Sequence, residues 1–214
     1  IQHAFNVLLM SDIRPQDLYQ WCKIPAEKLV RHPKLRARLR LVRDSEEMGR
    51  LMARELVETI EANNAKKRPT RAIIPFGHKC WYVPFTESVN NRRVSLARFF
   101  VFHMDECLDW QGGLLSRNHP CNFRTFMEKH FYGGISSKLA VPESQRFWLT
   151  PATMETMRAA IGKAPIDFTL GGWGQDGHIA YNQARRHPYS RITLEDVANS
   201  TIRIQENNLD TIIA

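Results

Sequence analysis

The sequence predicts an α/β protein with an open parallel sheet and helices on both of its faces, because short apolar segments alternate with segments of helical periodicity. Phe99–Phe102 is a continuous apolar run, as expected of a central parallel strand that is buried on both faces. Between residues 48 and 60, apolar side chains recur three or four positions apart, which is typical of one helix face: Met48, Leu51, Met52, Leu56 and Ile60. Strands joined through helices in this way form right-handed units of a parallel sheet.

Taken in order, the predicted strands are Leu39–Val42, Arg71–Pro75, Phe99–Phe102, Phe147–Leu149 and Phe168–Leu170. Helical segments are predicted around Gln16–Trp21 and Ala26–Val30, from Asp44 to Asn63, from Cys80 to Asn90, across Phe123–Phe131, and at Thr153–Ile161. The helix from Asp44 has an acid at its start and another three residues on, which is a common N-terminal signal. Pro84 must lie near the start of its helix or kink it.

The composition is that of a globular protein. The 214 residues are 43% hydrophobic and 24% charged, and no apolar run approaches the ~20 residues of a membrane span. Four cysteines are scattered without a CxxC pair, which favours free thiols in a reducing compartment over a disulfide framework or zinc site. We therefore expect a cytoplasmic protein without a membrane partner.

The net charge of +8 is concentrated at the start of the chain, where residues 1–43 hold nine Lys or Arg residues against three acidic residues. No recognition motif or basic–aromatic interleaving accompanies this charge, so nucleic-acid binding is not expected. We interpret residues 1–38 as a basic extension and residues 39–214 as one α/β domain. The sequence leaves the oligomeric state open, and a homo-oligomer is compatible with it.

The stretch Asp167–Gln183 combines a predicted strand end with polar side chains. An apolar run meets three glycines within four residues, and Asp176-Gly177-His178 follows at once. In a parallel sheet such a strand ends at the edge where ligands bind. A carboxylate two residues from an imidazole could orient and charge it for proton transfer. The alternative is a glycine-rich turn whose Asp and His only satisfy local hydrogen bonds.

Two further strand ends are predicted at this edge. Gly77 follows the second predicted strand, in a loop that is either a weak phosphate cradle or a plain turn. Asp105 and Glu106 follow the third, and a base such as Asp105 suits proton transfer beside an imidazole backed by Asp176. The alternative is that either acid only caps the following turn. The sequence has no HExxH motif or clustered metal ligands, and no G-x-S-x-G nucleophile elbow, so neither a metal site nor nucleophilic catalysis is predicted.

Three motifs carry a resemblance to a known family. They are Met104-Asp105-Glu106, then Asn118-His119-Pro120 with the aromatic residues after it, then Leu170-Gly-Gly-x-Gly-x-Asp-Gly-His-Ile-Ala-Tyr-Asn. From about Leu39 onward the chain resembles the glucosamine-6-phosphate deaminase/isomerase family, which is related to the 6-phosphogluconolactonases. Lactonases share the Asp-Gly-His but usually continue with Thr-Ala-Ser, so the match favours the deaminase branch. The resemblance implies a Rossmann-like open α/β sheet.

The resemblance also implies a reaction and roles for individual residues. Such enzymes open the ring of a phosphorylated amino sugar, isomerise it and release ammonia, and no cofactor is expected because proton transfer alone generates the enol intermediate. By motif position, Asp105 would move a proton between C1 and C2, and His178, oriented by Asp176, would assist ring opening. The implied catalytic residues are Asp105, Asp176, His178 and Gln183, and the implied substrate-binding residues are Gly77, His78, Lys79, Glu106, Gly172 and Gly177.

The sequence departs from the family pattern at two places. The family usually has Glu where this chain has Gln183, and an amide can neither carry negative charge beside the histidine nor relay a proton. If the imidazole needs a carboxylate partner, Gln183→Glu should raise activity. The phosphate loop, Gly77-His78-Lys79-Cys80, lacks the usual hydroxyl. Family residues beyond Ala214 are implied as well, so the domain at 39–214 is expected to be incomplete at its C-terminus.

Three functions are compatible with these residues. The first is a sugar-phosphate isomerase/deaminase, of the hydrolase class, that converts glucosamine 6-phosphate or a related amino-sugar phosphate to fructose 6-phosphate and ammonia. The second is a lactonase-like hydrolase in which the Asp-Gly-His motif activates water. The third is a sugar-phosphate-binding or regulatory protein that kept the pocket and lost turnover, and Gln183 and the altered phosphate loop favour it.

Overall fold

The computed structural model describes residues 14–77, 79–183 and 199–213, in two compact units that divide after Asp44. His78, one of the predicted substrate-binding residues, lies outside the described residues. A bilayer span would need a long, almost uncharged apolar helix, and the described ranges contain no such helix.

The first unit contains two short helices, α1 (Pro15–Cys22) and α2 (Ala26–Leu29). Proline suits the first position of α1 because the N–H that it lacks would have no partner within the helix. Asp17 in the first turn pairs with Arg14 at 2.9 Å. The helical character predicted for this part of the chain is therefore confirmed.

The strand predicted at Leu39–Val42 is wrong. Residues 38–42 form neither helix nor strand, and Leu39 and Leu41 are 37% and 47% exposed. The pattern alternates arginine with leucine, so a strand here would bury its apolar side only by pairing and packing with other strands. The described residues of the first unit offer no strand for it to pair with.

The second unit is built on a four-stranded parallel sheet, which confirms the predicted fold class. The strands are β1 (Thr70–Ile74), β2 (Phe99–His103), β3 (Arg146–Phe147) and β4 (Phe168–Thr169), in the spatial order β3-β2-β1-β4. Their registers pair Ile74 with His103, and Ala72 with Phe168. The strand predicted at Phe147–Leu149 is present one residue earlier and is shorter.

Helices cover both faces of this sheet: α3 (Ser45–Ala65), α4 (Tyr82–Arg92), α5 (Phe123–His130) and α6 (Met154–Gly162). Because side chains alternate along a strand, Ala72 and Ile74 pack with α3, α4 and α5, whereas Phe102 packs with Met157 and Ala160 of α6. Pro84 lies in the first turn of α4, where its missing N–H breaks no helical hydrogen bond. A last helix, α7, spans Leu209–Ile213.

Arg71 on β1 ties the sheet to the end of α6. Its guanidinium is buried and donates to the carbonyl oxygens of Ala160 at 2.5 Å, Ile161 at 3.3 Å and Pro165 at 3.2 Å, and also to that of Ala164. The last carbonyls of a helix lack partners within it and carry partial negative charge, so a cation stabilises them.

Replacing Arg71 by Met is expected to lower the free energy of unfolding by roughly 3 kcal/mol, because buried carbonyl groups lose a charged donor. Chemical denaturation at pH 7.5 measures this change. Arg54→Met, at an exposed position of α3, is the matched control and should change stability by less than about 0.5 kcal/mol. An Arg71 variant as stable as the control would contradict the capping role.

Candidate active site

Three loops meet at the carboxyl edge of the sheet. β1 lies between β2 and β4, so the loop with Gly77 is flanked by Asp105 on one side and by Asp176 and His178 on the other. The Phe76 N–H donates to Asp105 Oδ1 at 3.4 Å, which links the first two loops. His178 and Asp105 also interact electrostatically across the edge. The structure therefore brings together the acid and the imidazole that the sequence singles out.

Asp105 is a carboxylate with little access to water. Burial raises its pKa from the ordinary 3.8 to about 6, and the neighbouring charge of Glu106 adds to this rise. The Phe76 N–H and His178 act in the opposite direction. Asp105 is thus mostly ionised but poorly solvated at neutral pH, which is the state that a general base requires.

Asp176 and His178 form a hydrogen-bonded dyad. His178 Nδ1 lies 2.5 Å from Asp176 Oδ1, and the Asp176 side chain is 7% exposed. The Thr211 hydroxyl on α7 donates to the other carboxylate oxygen, and the hydrogen bonds from Thr211 and His178 lower the pKa of Asp176 to about 2. A carboxylate only accepts, so Nδ1 carries the proton and Nε2 is the ring nitrogen left for a substrate.

Glycines shape the loop that carries the dyad. The Gly174 N–H donates to His178 O at 2.9 Å, and Gly177 has a φ of +86°, a conformation that favours glycine. A Cβ on Gly174 would overlap the His178 ring and lie 2.8 Å from Asp176 Oδ1. The backbone therefore approaches the dyad more closely than any residue with a side chain could. Gly172 lies just upstream in the same loop.

The turn after His178 places an aromatic ring against the imidazole. Asn182 closes it by donating from its N–H to Ile179 O at 2.8 Å, and the central residues Ala180 and Tyr181 have φ values of +52° and +55°. Type I′ turns require positive φ at both positions and prefer Asn and Gly there, so each side chain adds strain of about 1 kcal/mol. The Tyr181 ring stacks on His178 with a centroid separation of 5.1 Å. Backbone strain of this kind concentrates at functional sites.

Gly77 and Lys79 follow β1, next to the aromatic rings of Phe76 and Phe126. Lys79 is exposed, and its Nζ lies 4.3 Å from the centroid of the Phe126 ring and 5.0 Å from that of Phe76. Contact with the ring faces favours the ammonium there and holds its positive charge next to the Gly77 loop. This position suits the predicted phosphate contact, which stays a prediction.

Glu106 is used as a helix cap. Its Oε1 accepts hydrogen bonds from the N–H groups of Cys107 at 3.1 Å and Phe123 at 2.8 Å, and its Oε2 accepts from Arg124 N–H at 3.0 Å. A carboxylate at a helix N-terminus satisfies unpaired N–H groups and complements the helix dipole. The sequence offered a cap of the turn that directly follows as the alternative role. The structure places Glu106 at the start of α5 instead, 17 residues further along the chain. Substrate binding by Glu106 stays a prediction.

Gln183 contacts the C-terminal segment. Its amide makes four contacts, two at 3.1 Å and two at 2.8 Å, all with residues 206–211. One of these contacts is with the Thr211 hydroxyl, which lies within hydrogen-bond distance of both Gln183 Oε1 and Asp176 Oδ2 and donates its single proton to one of them at a time. Among the described residues, no hydrogen bond joins Gln183 to His178, so Gln183 reaches the dyad only through Thr211.

Sequence reasoning missed the roles of three side chains. Thr211 bonds Asp176, Tyr181 stacks on the imidazole, and the Cys107 thiol hydrogen-bonds with Tyr181. Burial raises the pKa of Cys107 to about 11, so it stays a neutral thiol at physiological pH. Tyr181 belongs to the motif that carries the resemblance and could have been suspected. No local pattern could have placed Thr211 beside Asp176.

The fold and the site define an open parallel α/β protein that holds a half-buried carboxylate and an Asp–His dyad at one sheet edge. No family model matches the chain. It is 27% identical over 175 residues to a glucosamine-6-phosphate deaminase of Borreliella afzelii, covering 79% of this chain and 60% of that protein. It is 30% identical over 126 residues to one of Phocaeicola vulgatus, covering 56% of this chain and 45% of that protein.

A solved structure agrees with these sequence matches. That of a monomeric glucosamine-6-phosphate deaminase aligns with a TM-score of 0.56 at 19% identity, covering 70% of this chain and 61% of that one, and it shows a shared fold. The chain is therefore similar in sequence to glucosamine-6-phosphate deaminases, as the sequence motifs predict, and it shares the fold of one of them. The alignments span 45% and 60% of the length of the two curated relatives above.

Proposed function

We propose that the protein is a sugar-phosphate isomerase/deaminase that converts glucosamine 6-phosphate, or a related amino-sugar phosphate, to fructose 6-phosphate and ammonia. The observation that carries this proposal is the contrast between two carboxylates at one edge. Burial raises the pKa of Asp105 to about 6, whereas hydrogen bonds lower that of Asp176 to about 2. Carboxylates whose environments separate their pKa values in this way are suited to different roles, here base and orienting group.

In the proposed reaction, His178 acts first. Its Nε2 accepts the proton of the C1 hydroxyl and returns it to the ring oxygen, which opens the sugar ring. Asp176 keeps the proton on Nδ1 throughout, so that Nε2 remains the reactive nitrogen. Tyr181 packs against the imidazole and restricts its rotation.

Asp105 then moves a proton between neighbouring carbons. Its carboxylate removes the proton from C2 of the open chain while O1 takes a proton from water, which gives an enol across C1 and C2, and it then delivers the C2 proton to C1. As C1 is protonated, the C2 amine returns a proton to water and becomes an imine, to which water adds, and ammonia leaves. The net change is the conversion of substrate and one water to ketose phosphate and ammonia. In this proposal the phosphate binds at Gly77 and Lys79.

The test is incubation of the full-length protein with glucosamine 6-phosphate while ammonia and fructose 6-phosphate are followed. The proposal expects the two products in equal amounts, and none from a His178→Ala preparation made in parallel. That preparation identifies any product formed by contaminating enzymes. Wild-type protein that forms no more product than this control would contradict the proposal.

A sugar-phosphate-binding protein without turnover is the second candidate. It is favoured by Gln183, whose amide contacts residues 206–211 and offers the imidazole no carboxylate partner. Calorimetric titration with glucosamine 6-phosphate, alongside the product assay, distinguishes the two functions. Binding without product would favour this candidate. A cytoplasmic location and a homo-oligomeric state stay predictions.

A further inference from the structure

Both carboxylate oxygens of Asp176 are occupied by groups from different parts of the chain. Oδ1 receives His178 Nδ1 at 2.5 Å, and Oδ2 receives the hydroxyl of Thr211. A carboxylate held at both oxygens cannot rotate about its Cβ–Cγ bond without breaking a charge-assisted hydrogen bond. Thr211 therefore fixes the oxygen that faces the imidazole, although it does not touch the imidazole itself.

Both the NH2 group and the oxygen of the Gln183 amide form hydrogen bonds with residues 206–211, the segment that carries Thr211. Nε2 donates to Glu206 O and to Asn207 Oδ1, each at 3.1 Å. Oε1 accepts the Asn208 N–H at 2.8 Å and lies 2.8 Å from Thr211 Oγ1. Only a side chain that both donates and accepts can satisfy this set, and an amide is such a side chain.

We propose that Gln183 and Thr211 are positioning residues of the dyad: Gln183 anchors residues 206–211, and Thr211 on that segment holds Asp176 against His178. In this arrangement the amide at position 183 is a requirement of the site. As far as turnover is concerned, the inference rests on the proposed function, but the hydrogen bond to Asp176 can be tested without it.

The proposal reverses the effect of Gln183→Glu that the family pattern suggests. An ionised Glu would face Glu206 O and Asn207 Oδ1 with acceptors only. As a charged acceptor, it would also compete with Asp176 for the single Thr211 proton more strongly than the neutral amide oxygen of Gln183 does. Among the described residues, the titratable groups near position 183 are Asp176, which shares Thr211, His178, which is bonded to Asp176, and Glu206, whose carbonyl accepts from Gln183. When protonated, Glu regains one donor. The defect should therefore lessen in acid.

The first experiment removes the Thr211 hydroxyl and keeps the shape of the side chain. Thr211→Val should lower kcat about tenfold with little change in KM, and Thr211→Ser should restore it. Thr201→Val is the matched control, because Thr201 is exposed and, within the described part of the chain, its hydroxyl bonds only to the neighbouring Ile202 O. Carboxyl NMR provides the readout that needs no turnover. The Asp176 signal should stay flat down to pH 3 in the wild type and the Ser and control variants, and should begin to titrate above pH 3 in Thr211→Val.

The second experiment compares Gln183→Glu with Gln183→Met at pH 7.5 and pH 4.5, each as a ratio to the wild type at the same pH. Both should lose about tenfold at pH 7.5. Only the Glu variant should recover in part at pH 4.5, where a glutamic acid of ordinary pKa, about 4.3, is close to half protonated. Gln183→Glu as active as the wild type at pH 7.5 would overturn the requirement for an amide. Thr211→Val that matches Thr201→Val in the Asp176 titration would overturn the role of Thr211, whether or not the protein turns over glucosamine 6-phosphate.

Discussion

Replacing Asp105 by Asn is expected to abolish turnover of glucosamine 6-phosphate and to stabilise the fold at pH 7.5. An amide cannot accept the C2 proton, and loss of a general base costs up to ~10⁴-fold in rate. Asn keeps an oxygen for the Phe76 N–H, which donates to Asp105 Oδ1 at 3.4 Å, so ligand affinity should be largely retained. The gain in stability comes from burial. At pH 7.5 the folded wild type holds a poorly solvated negative charge at Asp105, and Asn carries no charge there.

The stability effect has a defined dependence on pH. The pKa of Asp105 is raised from 3.8 to about 6, so the folded state holds a proton that the unfolded state has already released between these values. The contribution of Asp105 to the free energy of unfolding is fully present below pH 3.8. As pH rises through 6 this contribution is lost, and the free energy of unfolding falls by roughly 3 kcal/mol. Asp105→Asn does not show this loss, because Asn does not ionise. Its advantage over the wild type should grow between pH 4 and pH 7.5.

Denaturant titrations at both pH values, together with the product assay, measure the two effects separately. Asp109→Asn is the matched control, since this exposed carboxylate accepts N–H groups that an Asn oxygen can also accept. It should show neither effect. If Asp105→Asn turned over at the wild-type rate, Asp105 would not be the base. If its stability gain were the same at pH 4 and pH 7.5, burial would not be raising the pKa.

The fold was predictable where a single local pattern decides the structure. The apolar run Phe99–Phe102 has one energetically reasonable place, the middle of a parallel sheet, and it lies there as β2. The segment Leu39–Val42 has high strand propensity but alternates with arginines, and propensity does not supply a partner strand. β3 was misplaced by one residue, because a two-residue edge strand has too little pattern to fix its ends.

The site was predictable to the extent that its contacts are local or lie at the same edge of the sheet. Asp176 and His178 are two residues apart, and parallel topology alone carries them towards Asp105. Contacts between segments that are far apart in the chain could not be predicted, because no local sequence pattern indicates them. From the family pattern alone, Gln183 is interpreted as a partner of His178 that lacks the usual carboxylate. Its hydrogen bonds to residues 206–211 became visible only once the chain was folded.

Gly174→Ala is expected to lower turnover about 100-fold while the fold stays intact. The added Cβ would overlap the His178 ring and approach Asp176 Oδ1 to 2.8 Å, so the imidazole must move. A displacement of about 1 Å at a reacting group is enough for a loss of this size. The overlapping atoms belong to side chains that can shift, so the free energy of unfolding should fall by only about 1 kcal/mol.

Gly171→Ala is the matched control in the same loop. A Cβ there meets no atom within 4 Å, and the backbone is not in the left-handed region, so neither turnover nor stability should change. Proton NMR gives a readout that is independent of turnover, because the short hydrogen bond from His178 Nδ1 to Asp176 should produce a downfield resonance. This resonance should be lost in Gly174→Ala and kept in Gly171→Ala. Its persistence in both, with turnover lost only in Gly174→Ala, would mean that the glycine serves the substrate and not the dyad.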